Sequence, residues 1–187
     1  MEHTVQQASV ISPFIRNKLR LSITGECNAA CFYCHNEGQG HGAPVRMSLD
    51  FVKQLANYCR RAGFTVGKVN ITGGEPLLHP QLEDMLREMS AVSTSLRLNT
   101  NGRLLTKPLV DRLLALGVDE LKIGIDSFLS QNSGDPIKWT APQRLRDIIA
   151  YAAGRCKVAM NTVVTQYNGL QIDDIIAFCE SCGVESL

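Results

Sequence analysis

Short apolar runs alternate with helical patterns along most of the chain. Leu19-Arg20-Leu21-Ser22-Ile23 reads as a first strand. Ser48 then caps a helix with Phe51, Val52, Leu55, Ala56 and Cys59 on one face. Lys68-Val69-Asn70-Ile71-Thr72 is a second strand, and Pro80 suits the first position of a helix carrying Leu82, Met85, Leu86 and Met89. Leu96-Arg97-Leu98-Asn99 is a third strand; its helix starts near Thr106 and Pro108 and stops at Gly117. Residues 121–125 form a fourth strand, and Thr140 caps a helix built on Leu145, Ile148, Ile149 and Ala152, with Gly154 after it. Residues 158–164, rich in β-branched side chains, are a fifth strand. Ile172, Ile175, Ile176 and Phe178 mark a fifth helix ended by Gly183, and residues 184–187 open a sixth strand.

Five βα units in succession predict an α/β fold with a parallel sheet covered by helices. A closed eight-unit barrel typically takes about 250 residues; with 187 residues a partial (βα) barrel fits better, and a doubly wound Rossmann sheet is the runner-up. Either architecture places its chemistry in the loops after the strands. Two such loops, residues 25–47 and 127–139, are long, which in a compact domain points to function or disorder. The expected organisation is an N-terminal extension over residues 1–18 and one core domain over residues 19–187.

Composition narrows the class. Hydrophobic residues make up 44% and charged residues 20%, as in an ordinary globular protein. A formal net charge of +1 gives no reason to expect nucleic acid or an anionic membrane as partner. No apolar run is long enough to cross a bilayer and no secretory signal is visible, so the expected location is the cytoplasm.

Seven cysteines in such a chain do not read as a disulfide framework. Cys27, Cys31 and Cys34 crowd into one loop as CxxxCxxC, while Cys59, Cys156, Cys179 and Cys182 are scattered. Three close thiolates can hold three corners of an iron–sulfur cubane and leave the fourth iron to a non-protein ligand. Zinc held by the cysteines and His35 stays open on spacing alone, although zinc sites usually come as two spaced pairs. The Cys179/Cys182 pair reads as helix packing, and His35, His41 and His79 as polar loop residues.

The triplet has an aromatic residue, Tyr33, just before its last cysteine, and Ile71-Thr72-Gly73-Gly74-Glu75-Pro76-Leu77-Leu78 follows at the end of the second strand. Leu98-Asn99-Thr100-Asn101-Gly102, Ile123-Gly124-Ile125-Asp126-Ser127 and Asn161-Thr162-Val163-Val164 come after it in order. In these features the chain resembles the radical S-adenosylmethionine (radical SAM) superfamily from Leu19 onward. The opening, from Leu19 to Asn28, is similar to the GTP 3′,8-cyclase subgroup of molybdenum-cofactor synthesis.

The resemblance implies a [4Fe–4S] cluster on Cys27, Cys31 and Cys34, and SAM held by Tyr33, Gly73, Gly74, Glu75, Pro76, Asn99, Gly124, Asp126 and Asn161. It implies reductive cleavage of SAM, a 5′-deoxyadenosyl radical that takes hydrogen from a small-molecule or peptide substrate, and a one-electron donor such as flavodoxin or ferredoxin. Two glycines would let the backbone approach SAM closely, so Gly74→Val is expected to block SAM binding and leave the cluster intact. Glu75 would add charge or fix the turn.

Departures from the subgroup bear on the substrate. Asn70 and Ala159 stand where the cyclase keeps cations for the GTP phosphates, and Gly124 where it keeps a serine. Arg20 and Asn70 are the candidate substrate residues. These departures predict a neutral mouth and a substrate other than GTP. The sequence ends before the cyclase's second cluster domain, which suits either a truncated piece or a small enzyme that completes its site another way. The competing readings are the cyclase reaction itself and a non-catalytic iron–sulfur or zinc protein, or fragment, that needs a partner.

Overall fold

The computed structural model describes residues 18–34, 45–128 and 141–187. Five βα units follow in order: β1 (Lys18–Ser22), α1 (Leu49–Arg61), β2 (Lys68–Thr72), α2 (Leu82–Ser90), β3 (Leu96–Thr100), α3 (Lys107–Ala115), β4 (Glu120–Gly124), α4 (Pro142–Ala152), β5 (Lys157–Asn161) and α5 (Ile172–Cys182). All four strand pairings are parallel, and the spatial order is β1-β2-β3-β4-β5. A doubly wound sheet reverses its strand order at a switch point. This sheet does not, so the runner-up falls and the open (βα) barrel stands.

Right-handed crossovers repeated in one direction put every helix on the same side of the sheet. That side is the core. Leu21, Ile23, Ile71, Leu98 and Ile123 pack there with Val52, Met85, Leu86, Leu113 and Ile149 from the helices. Side chains alternate across a strand with period two. The residues between those core positions therefore face the other side, and they are polar: Arg20, Asn70, Arg97, Asn99 and Lys122.

Local signals explain most helix ends. Ser48 Oγ accepts from Phe51 N at 3.2 Å and Thr106 Oγ1 from Leu109 N at 3.3 Å, as N-caps do. Gly183 ends α5 at φ 67°, a left-handed C-cap. Several boundaries differ from expectation by more than a residue or in their capping. Pro80 sits in the turn before α2, because Gln81 is the N-cap and its carbonyl accepts the first helical bond, from Met85 N at 3.1 Å. Thr140 lies outside the described residues, and Ala141 occupies the N-cap of α4 without a side-chain bond. The fifth strand stops at Asn161 and not at 164: Val163 N donates to Asp126 Oδ1 at 2.8 Å, which takes that amide out of the ladder.

β1 begins at Lys18, one residue inside the expected extension; residues 1–17 lie outside the described residues. So do residues 35–44 and 129–140, which hold part of the first long loop, with His35 and His41, and nearly all of the second. The sixth strand begins to pair: Ser186 bridges Ala159 in parallel, and Met160 N donates to Ser186 O at 2.8 Å. Among the described residues no helix is long and apolar enough to cross a membrane.

Candidate functional site

A pocket of about 440 Å³ opens at the C-terminal ends of the strands, a size in the usual range for a small-molecule site. It is lined by Cys27, Cys31, Cys34 and Tyr33 from the loop after β1, by Gly73 and Gly74 after β2, and by Arg20, Asn70, Asn99, Gly124 and Asn161 on the strands. Separate loops and strands thus bring almost all the predicted residues to one wall. The exceptions are Glu75, Pro76 and Asp126, which are buried and lie behind the wall.

The rim is fastened by backbone. Gly74 N donates to Thr24 O and Glu75 N to Glu26 O, each at 2.7 Å, so the turn after β2 is laid directly on the cysteine loop. A Cβ on Gly74 would meet Glu26 O at 2.3 Å, and one on Gly73, at φ 146°, would meet Thr24 O at 2.5 Å. The glycines therefore admit the cysteine loop itself. This corrects the expectation for Gly74→Val: a side chain there displaces the loop that carries the thiols before it reaches any ligand in the pocket.

Glu75 is fully buried, and its carboxylate is spent on the scaffold. It accepts from Leu77 N at 3.1 Å, Thr100 Oγ1 at 2.8 Å and Asn101 N at 2.7 Å. It thereby caps the short 3-10 turn Pro76–Leu78 and ties it to the end of β3. Pro76 stiffens that turn from its first position. Asn101 carries the tie onward: its Nδ2 donates to Asn28 Oδ1 at 2.7 Å and lies 3.9 Å from Cys27 Sγ. Asp126 holds Tyr33 by accepting from its hydroxyl, and Val163 N by its other oxygen. Glu75 and Asp126 thus position the residues that line the pocket.

Burial pushes the Cys27 thiol up; a backbone hydrogen bond at Ala29 opposes this, and nearby Glu75, Cys31 and Cys34 add to it. Three soft thiols on one pocket wall fit an iron–sulfur cluster. Among the described residues no three His, Cys, Asp or Glu side chains are grouped as ligands of a single metal ion. Asn70 Oδ1, Asn99 Oδ1 and Arg97 Nε are buried and make no hydrogen bond among the described residues. A buried polar atom left unpaired costs stability and marks where a ligand can complete the network. Asn99 is thus fit to meet a donor on a bound cofactor.

His79 is a polar loop residue, as expected, but a buried one that anchors the turn after the 3-10 helix. Its Nε2 lies 3.1 Å from Met47 O and its Nδ1 accepts from Gln81 N at 3.1 Å; burial lowers its pKa against the help of the Met47 carbonyl. Cys179 is buried in the core on α5 and Cys182 packs beside it, as helix packing predicts; burial raises the Cys179 thiol to about 11.

Two site residues escaped the reading of the sequence. Arg97 and Lys122 both line the pocket. The signal was the two-residue period: Arg97 shares a face with Asn99, and Lys122 with Gly124. Their presence overturns the neutral mouth. The wall carries Arg20, Arg97 and Lys122, and no carboxylate lines it among the described residues. Deeper on the same face Glu120 pairs with Arg97 at 2.5 Å and Lys68 at 2.8 Å. Burial opposes the Glu120 charge, but these two cations outweigh it and hold the carboxyl below its usual range.

Comparison with known proteins agrees with this geometry. The radical SAM superfamily family model matches residues 21–181, and the chain belongs to that superfamily. Its cofactors are accordingly S-adenosylmethionine and a [4Fe–4S] cluster. A protein of Methanococcus aeolicus described as "Probable GTP 3',8-cyclase" is 30% identical over 89% of this chain and 56% of its own length. One of Methanosarcina acetivorans with the same description is 31% identical over 95% of this chain and 55% of its own. The chain thus spans about half the length of these curated relatives. Among solved structures, Streptococcus suis SuiB bound to S-adenosylmethionine superposes with a TM-score of 0.70 at 18% identity, covering 90% of this chain and 39% of that one. BtrN, in complex with AdoMet and 2-DOIA, gives 0.59 at 22% identity, covering 79% and 56%. These likenesses bear on the fold, which is the open barrel described above.

Proposed function

We propose that residues 19–187 are the SAM-cleaving core of a radical SAM enzyme that acts on a small molecule or peptide other than GTP. The observation that carries the reading is the convergence of Cys27, Cys31 and Cys34 with Gly73, Gly74, Asn99, Gly124 and Asn161 on one pocket. Cys27, Cys31 and Cys34 would hold the cluster, and the remaining residues, with Tyr33, would meet SAM. The chemistry so supplied is reductive cleavage of SAM to methionine and a 5′-deoxyadenosyl radical, which takes a hydrogen atom from the substrate. The chain's own part is positional. Asp126 fixes Tyr33 against the pocket, the backbone of Gly73 and Gly74 seats the cysteine loop, and Glu75 locks the ends of β2 and β3 together. A one-electron donor of the flavodoxin or ferredoxin kind would serve it, in the cytoplasm, where thiols stay reduced.

The cyclase reaction is the second reading, favoured by the descriptions of the relatives. Against it stand Asn70 and Ala159, which supply no charge where that subgroup keeps cations, while this chain presents Arg97 and Lys122 from β3 and β4. The test is anaerobic reconstitution followed by incubation with SAM, dithionite and GTP. SAM cleavage without cyclic 3′,8-product supports the proposal; stoichiometric cyclic product restores the cyclase.

A further inference from the structure

The floor of the pocket holds charge that neither the cluster nor the thiols call for. Asn101, at the end of β3, lies 3.9 Å from Cys27 Sγ. Arg97 is four residues earlier on that strand, about 13 Å further down at the usual rise. Lys122 pairs in register with Asn99, so it sits one strand over and two residues above Arg97 on the same face. The two cations are diagonal neighbours within reach of one small group. Arg20 joins them from β1 through the pairing of Arg20 with Asn70 and of Asn70 with Arg97.

The charges are poorly balanced from within. Glu120 takes one guanidinium nitrogen of Arg97, at 2.5 Å, and is shared with Lys68. Arg97 Nε is buried and unpaired among the described residues, as is the neighbouring Asn70 Oδ1. The Lys122 side chain forms no ion pair or hydrogen bond among the described residues. In register beside it stands Ala159, whose small side chain leaves room for the ammonium and for a guest. Like charges gathered in a partly desolvated pocket are unfavourable until an anion joins them.

We propose that Arg97 and Lys122 form an anion-binding floor, and that the substrate is a small molecule bearing a phosphate or carboxylate group that docks there, with its reactive carbon toward the cysteine loop. The proposal rests on the radical SAM reading and adds a substrate class to it. Arg97 offers its planar fork, with Nε unpaired among the described residues, and Lys122 a flexible point charge, a combination suited to an oxyanion with two accessible oxygens. Relative to the cyclase pattern the charge is shifted from β2 and β5 onto β3 and β4, which recentres the anion within the sheet.

The test is calorimetric titration of the anaerobically reconstituted chain, with SAM bound, using inorganic pyrophosphate in one arm and succinate in the other. Binding of either probe is expected; pyrophosphate alone points to a phosphorylated substrate, succinate alone to a carboxylic acid. Lys122→Gln should weaken the bound probe about tenfold, and Arg97→Gln as much or more. Lys122→Gln carries the weight, since it orphans no partner; Arg112→Gln, a cation on the far surface, should leave binding unchanged. Failure of both probes to bind at millimolar concentration would overturn the proposal, as would binding indifferent to Lys122→Gln or competition between probe and SAM. The latter would give the cations to the methionine carboxylate. Probe binding that Lys122→Gln weakens as expected, together with a wild-type chain that yields no 5′-deoxyadenosine, would overturn the SAM reading and sustain the anion floor.

Discussion

At the rim of the pocket the wall is backbone laid on backbone: Gly74 N on Thr24 O, Glu75 N on Glu26 O, and the buried Glu75 carboxylate bracing both strand ends. On the floor the wall is side chains at alternate strand positions, with Arg97 and Lys122 held, among the described residues, by no such contacts beyond the Glu120 pair. The rim has no room for variation, because a single added carbon collides with peptide atoms. The floor can exchange one side chain for another without moving the sheet. A shared chemistry with a changeable substrate asks for that division: rigid where the thiols must be placed, adjustable where the guest is chosen.

The division is broken or sharpened by substitutions read for both stability and iron content. The largest effect should come from Gly74→Val, whose Cβ alone would lie 2.3 Å from Glu26 O. It should cost more than about 3 kcal/mol and strip the chain of iron, because the cysteine loop must move. A variant that keeps its iron and loses only SAM affinity would show that the glycine faces the ligand after all. Next is Glu75→Ala, which leaves Leu77 N, Thr100 Oγ1 and Asn101 N without their acceptor. A loss of about 2 to 3 kcal/mol in urea unfolding is expected, with reduced iron loading.

On the floor, Glu120→Gln should cost about 1 to 2 kcal/mol at neutral pH and leave iron loading intact. Its pH dependence has a definite sign. Because the folded-state pKa of Glu120 lies below its usual range, its contribution is full above the unfolded value of about 4.3 and fades as pH falls through the folded one. Wild type and variant should therefore converge in acid, and a gap that persists there would place the loss in packing. The smallest effect is expected from Gly154→Ala, where nothing lies within 4 Å and only φ 74° opposes a side chain. About 1 kcal/mol, with unchanged iron, is the expected cost.

The same contrast explains what the sequence made legible. The strand and helix order could be read from apolar runs because every helix and one face of every strand bury into a common core. The rim could be read because its residues cluster in short motifs, CxxxCxxC and Gly73-Gly74-Glu75-Pro76. Motifs say which residues meet but not which way they point, so Glu75 and Asp126 passed for cofactor ligands although their oxygens are committed to Thr100, Asn101, Tyr33 and Val163. The floor has no motif. Arg97 and Lys122 lie inside strands treated as apolar runs, and only strict alternation reveals that they share a face with Asn99 and Gly124. The end of β5 was misjudged for a related reason: β-branched residues favour a strand at Val163, but the long-range acceptor on Asp126 outbids local preference.

The central claim, that three thiols on this rim support SAM cleavage, is tested most directly by loading the full chain anaerobically with iron and sulfide, adding SAM and dithionite, and quantifying 5′-deoxyadenosine by mass spectrometry. The wild-type chain should take up about four irons and form 5′-deoxyadenosine, and the chain with Cys27, Cys31 and Cys34 all changed to Ala should do neither. Equal product from both chains, or none from a wild type loaded with its full complement of iron, would contradict the account.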